Sequence, residues 1–253
     1  MSSQLELLKR VLPAPAKRLA KSLLFRNGLW NHPHLAKKGV IADLYYWVAD
    51  GTLDTLLPLQ NFFSVFLQDL ETATEGAVYL RDRRGRLIGT RPFRVAAHGL
   101  VKLRVSHLLR ELRATVPEGY GTLLCDYRIP DAVLRALDPR EPFYFWDRFY
   151  LGYLSANQQP CFVHGVDKTH ISQTDGRGTH GRFAPFHPAG RRYTWIPEIP
   201  VDLRLYQRFS VILINRTTRS ARVILTVADR HDASRRLSQT LAPFGVHRFE
   251  LSG

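Results

Sequence analysis

The alternation of apolar and polar positions changes its period near Leu44. Before that point the spacing is helical. Ala16, Leu19, Ala20, Leu23 and Leu24 share one face of a helix over residues 16–26, with Lys17, Arg18 and Lys21 on the other. Residues 5–12 add two turns ahead of Pro13 and Pro15, and Gly28 is a helix stop. From Leu44 onward the period falls to two, which predicts strands over 44–48, 61–68, 76–82, 92–97, 100–105 and 121–127. Short helical turns are expected over 106–112 and, capped by Asp131, over 132–137. An aromatic run over 143–154 and the run 161–164 form a hairpin, and further strands are expected over 209–215, 221–228, 236–241 and 246–251. Residues 167–192, broken repeatedly by Gly and Pro, read as one long loop. No helix is long enough for a βαβ crossover, so the pattern is all-β.

One part of the pattern occurs twice. Asn61-Phe62-Phe63-Ser64-Val65-Phe66-Leu67 returns as Gln207-Arg208-Phe209-Ser210-Val211-Ile212-Leu213, each preceded by a Trp (Trp47, Trp195). Each copy continues through an apolar run to an Arg-rich turn with an Asp (Asp82, Asp229) and ends in a Gly-marked corner. Phe63 and Phe209 stand 146 positions apart, as do Gly99 and Gly245. This implies two tandem β-sandwich modules, immunoglobulin-like or jelly-roll-like, from an internal duplication. A short cationic amphipathic helix precedes them. The expected boundaries are 1–43 for that helix and its loop, 44–192 for the first module and 193–253 for the shorter second one.

Composition adds a preference for partners. The chain has 36 Lys+Arg against 22 Asp+Glu, a formal charge of +14, which favours an anionic polysaccharide, a nucleic acid or an acidic membrane surface. The N-terminal helix could lie on such a membrane or dock a protein partner. No apolar run approaches the ~18 residues of a membrane span, and charges interrupt any secretory h-region. Cys125 and Cys161 sit in apolar strand-like runs and read as buried thiols, which suits a cytoplasmic compartment with peripheral membrane association as an extension of it.

Two groups of residues could carry chemistry. The aromatic hairpin places Tyr144, Trp146, Tyr150 and Tyr153 on one expected face with Arg148, and Lys168, Arg177 and Arg182 add charge from the following loop. Aromatic faces beside guanidinium groups can stack sugars or bases. The second group is His164, Asp167, His170, His180 and His187, ligand types suited to one transition metal ion. Their spacing matches no His-x-His or His-Glu-x-x-His pattern. No Gly-x-Ser-x-Gly, Walker loop or Cys-x-x-Cys is present either, which argues against the common enzyme classes.

Trp47-Val48-Ala49-Asp50-Gly51, Phe63-Ser64-Val65-Phe66-Leu67, the Arg-rich turn, residues 95–105 and Gln159-Pro160-Cys161-Phe162-Val163-His164 followed by Asp167 together resemble the sensory rhodopsin transducer family. These are small soluble β-sandwich proteins. The resemblance covers about half the chain; residues 131–147, the cationic N-terminus and the second copy depart from it. It implies an oligomeric, non-catalytic signalling or binding role. The sequence therefore points to a non-enzymatic binding or assembly protein, without cofactor, for an anionic partner or another protein. The alternative is a metal-dependent enzyme of the non-haem-iron or zinc type, built on the His164–Asp167–His170 region.

Overall fold

The computed structural model describes residues 40–136, 150–155, 160–164, 170–175, 178–183, 209–215, 220–228 and 234–251. The expected N-terminal helix lies outside them. Strand β1 (Val40–Val48), β3 (Thr74–Asp82), β4 (Leu87–Val95) and β6 (Tyr120–Arg128) form one antiparallel sheet in the order β1-β6-β3-β4, here called sheet A. Strands β2 (Leu53–Gln60), β5 (Leu100–Arg104), β7 (Tyr150–Ser155) and β8 (Pro160–His164) form sheet B in the order β5-β2-β7-β8. Trp47, Val78, Leu80 and Leu123 from sheet A meet Leu57, Leu59 and Leu151 from sheet B in one core. Period-two alternation turns these residues inward together, as the sequence pattern requires. Helix α2 (Val105–Glu111) closes one side of the core through Val105 and Leu108, and Val133 of α3 (Asp131–Ala136) adds to it.

Strand β1 is buried at every position from Leu44 to Val48. That continuous run makes sense only if both faces of sheet A are covered. The second cover comes from β11 (Phe209–Ile214) and β14 (Val246–Leu251), which pair with each other, and from the turn before β14. Tyr46, Val48 and Tyr120 pack with Ile214 and Val246, while Leu44 and Leu124 pack with Ile214 and Phe244. The Thr122 hydroxyl donates to the carbonyl of Phe244 at 2.7 Å, and the amide of Val246 donates to the carbonyl of Arg83 at 2.9 Å. Strands β12 (Ala221–Ala228) and β13 (Ser234–Leu241) form a separate antiparallel pair.

Several expectations are corrected. Residues 61–68 are not a strand: residues Phe63–Phe66 form a single helical turn, α1. Phe62 and Phe63 are both buried, which a strand with one covered face does not allow, and local bonds stabilise the turn. Ser64 N–H donates to Asn61 Oδ1, and the Ser64 hydroxyl bonds with Thr72 Oγ1 at 2.7 Å. The likeness of Phe63-Ser64-Val65 to Phe209-Ser210-Val211 is therefore not a structural equivalence. Two asparagines make the same pattern of bonds. Asn61 Nδ2 donates to the carbonyls of Thr72 and Ala96, and Asn61 N–H to that of Gly99. Asn215 Nδ2 donates to Leu241 and Ala242, and Asn215 N–H to Gly245. In both places the residue before the glycine, His98 or Phe244, has φ 57°. The two asparagines are 154 positions apart while the two glycines are 146 apart, and most of the difference falls between Asn61 and β3, where α1 lies.

Strand β2 was missed in the sequence pattern because Pro58 and leucines disguise it. Pro58 is tolerated because the ladder to β7 ends at Leu56, so its missing N–H deprives no partner there. Residues 167–192 are not wholly a loop: β9 (His170–Asp175) and β10 (Gly178–Phe183) pair antiparallel. Cys125 is buried as expected, but Cys161 is exposed because β8 ends sheet B among the described residues; neither is in a disulfide.

Candidate functional site

The outer face of sheet B combines aromatic rings with cations. Directly opposed residues of neighbouring strands share a face. Leu56 opposes Arg104 on one side and Gly152 on the other, and Gly152 opposes Phe162. Arg104, Leu56, Gly152 and Phe162 thus form one row across four strands, a span of about 14 Å at normal strand spacing. Pro58 opposes Lys102, Gln60 opposes Leu100, and Tyr150 belongs to the parity of Gly152. Leu57, Leu59 and Leu151, of the opposite parity, are in the core.

This face keeps large apolar groups in water. Phe162 is 50% exposed, Leu100 51% and Tyr150 38%. Gly152 makes the floor: a Cβ there would meet the Phe162 ring at 2.9 Å, so the absence of a side chain lets the ring lie along the sheet. Lys102 is exposed and Arg104 half-buried. The acid nearest in the ladder, Asp54, is already engaged: it accepts from Ser106 N–H at 3.1 Å and from the Ser106 hydroxyl at 2.7 Å. The face therefore presents planar rings on β7 and β8 and positive charge across the sheet on β5, an arrangement suited to an extended ligand with flat groups and anionic links.

Tyr150 and Tyr153, expected on a common face, lie on opposite faces of β7. They are three residues apart, and a period of two separates them. Tyr153 turns inward, where its hydroxyl donates to the carbonyl of Tyr46 at 3.0 Å and burial pushes its phenol above the ordinary value. Tyr144, Trp146, Arg148, Lys168 and Arg177 lie outside the described residues, as do Asp167 and His187. Arg182 and His180 fall in β10, His170 in β9, and His164 in β8 opposite Tyr150. Among the described residues no group of three or more His, Cys, Asp or Glu is placed to hold a metal ion. Among the described residues, no helix is long and apolar enough to cross a membrane.

Sequence reasoning missed Lys102, Arg104, Leu100 and Phe162. The first three were visible as the outward positions of Leu100-Val101-Lys102-Leu103-Arg104, but nothing in that run shows that it lies beside β2. Elsewhere an open groove of about 530 Å³ is lined by Glu75, Arg94, Arg128, Asp131 and Arg135 among others. There cations and carboxylates alternate, and Arg128 is 3.1 Å from Glu75, so it offers no one-signed surface. The chain matches no protein-family model, no curated protein and no solved structure.

Proposed function

We propose that this protein is a non-enzymatic binding module whose sheet B outer face takes single-stranded nucleic acid. The observation that carries this reading is the half-exposed Phe162 ring lying over Gly152, in the same row as Arg104. Every base has a π-face, so such a ring stacks without demanding a sequence, and Lys102 and Arg104 lie where phosphates would pass. The charge of +14 supplies long-range attraction. The resemblance to the sensory rhodopsin transducer family agrees with a non-catalytic role. We also infer that residues 209–251 are a second, shortened copy of the β2–β5 unit, aligned through Asn61 and Asn215.

The test is fluorescence anisotropy of a labelled oligothymidine against the full chain. Phe162→Ala is expected to weaken binding by about 5- to 150-fold, the value of one base stack. Lys102→Gln is expected to flatten the plot of log affinity against log salt by about 0.7 for one lost phosphate contact to a single strand. Heparin binding with no response to Phe162→Ala, beside no oligonucleotide binding, would replace the proposal with a purely charge-driven one.

A further inference from the structure

On the opposite side of the molecule, β14 delivers one cation into a box of tyrosines on sheet A. The Arg248 guanidinium lies over the Tyr120 ring, its Cζ 5.0 Å from the centroid. Its Nη1 stands 3.3 Å from the Tyr46 hydroxyl oxygen and 3.5 Å from Asp50 Oδ2, and its Nε is 2.6 Å from Glu250 Oε1. Tyr46 in turn packs with its ring centroid 5.8 Å from that of Tyr120 and 6.2 Å from that of Tyr153. Asp50 is held in place by the N–H groups of Thr52 and Leu53, each donating to Oδ1 at 3.0 Å.

A guanidinium is a flat cation with donors around its edge. It is recognised by an aromatic surface against its face and by acceptors around its edge. Here Tyr120 provides the face, and Tyr46, Asp50 and Glu250 provide the edge. The protonation states of Tyr46 and Asp50 favour the arrangement. Burial raises the Tyr46 phenol above its ordinary value, so it stays neutral. For Asp50, burial opposes the charge but is outweighed by the amides of Leu53 and Thr52 and by Arg248, so the carboxyl is held below the usual range.

We infer that Tyr46, Tyr120, Asp50 and Glu250 form a guanidinium-binding site, occupied in this chain by its own Arg248. The site is built from both sides of the contact between β14 and sheet A, so filling it fastens the C-terminal strands to the sheet. When the Arg248 side chain is shortened, the site takes a free alkylguanidinium in its place.

The experiment is thermal unfolding of the full chain carrying Arg248→Ala, with ethylguanidinium chloride compared with ethylammonium chloride at equal ionic strength. The variant is expected to melt below the parent. Ethylguanidinium is expected to restore about 2–4 °C, the shift a saturated weak site gives a chain of this size. Ethylammonium, with the same charge but no plane, restores nothing, and the parent gains nothing from either. Adding Asp50→Asn to Arg248→Ala abolishes the rescue. An equal response of parent and variant, or of the two cations, overturns the site. If Arg248→Ala does not fold, NMR of the parent decides: the Arg248 δ protons are expected upfield from the Tyr120 ring current, and unshifted δ protons overturn the proposal.

Discussion

Replacing Gly85 with alanine is expected to destabilise the protein by about 3 kcal/mol or more and to lift the turn before β14 off sheet A. Gly85 has φ +75°, and a Cβ built there would sit 2.0 Å from the carbonyl oxygen of Pro243 and 3.0 Å from the amide of Gly245. The obstruction is backbone on both sides, so no rotamer change relieves it. Nor can the Gly85 turn easily retreat. Asp82 Oδ1 accepts from the amides of Arg84 and Arg86 at 2.9 Å each, and Asp82 Oδ2 accepts from Arg86 Nε at 2.7 Å. The structure must then give up the Val246–Arg83 bond and the Thr122–Phe244 bond, and water reaches Leu44, Tyr46 and Leu124. Gly51 is the control. Its φ is +87° but nothing lies within 4 Å of its missing Cβ, so Gly51→Ala bears only the backbone strain, about 1–2 kcal/mol. Urea unfolding of both variants checks this. Equal losses at the two positions would mean that the contact between Gly85 and Pro243 contributes nothing.

Trp47→Ala is expected to cost about 3–5 kcal/mol, the range for truncating a buried large aromatic. Trp47 is fully buried at the centre of the core between sheets A and B. Its Nε1 donates to the carbonyl of Arg81 at 2.9 Å. Gly121 is what makes room for that bond, since a Cβ there would come within 2.9 Å of the indole nitrogen and 2.0 Å of the Arg81 oxygen. Trp47→Phe retains most of the packing and loses the bond, so its cost is expected nearer the roughly 1–3 kcal/mol of an unsatisfied buried acceptor. The same urea unfolding measures it, and a Trp47→Phe variant as damaged as Trp47→Ala would assign the whole effect to shape. Arg81 couples the two predictions. Its carbonyl takes the Trp47 bond, while its guanidinium lies 5.0 Å from the Phe244 ring centroid on the outer side. Combining Gly85→Ala with Trp47→Ala is therefore expected to give less than the sum of the two losses.

Much of the strand content was legible in residues 44–48, 121–127, 221–228 and 246–251, because alternation and β-branched or aromatic residues are local properties of a strand with a buried face. The helical turns at 105–111 and 131–136 were legible for the same reason, through their own spacing. The proposed site was legible only in part: the outward parity of Lys102 and Arg104 could be read, but not that they share a surface with Phe162.

What the tertiary structure decided are matters of partnership. Residues 63–66 have a strand's composition yet turn as a helix, since Asn61, Ser64 and Thr72 bond with one another and both Phe62 and Phe63 find the core. Strand β2 carries a proline and exists because β5 and β7, distant in sequence, pair with it from either side. The run of buried residues in β1 says that two faces are covered, but only the docked β11, β14 and Phe244 show what covers the second. By itself the sequence determined where the chain can form strands and how charged it is. Which strands meet, and so which side chains share a surface, depends on contacts between residues far apart in the chain, and no local pattern encodes them.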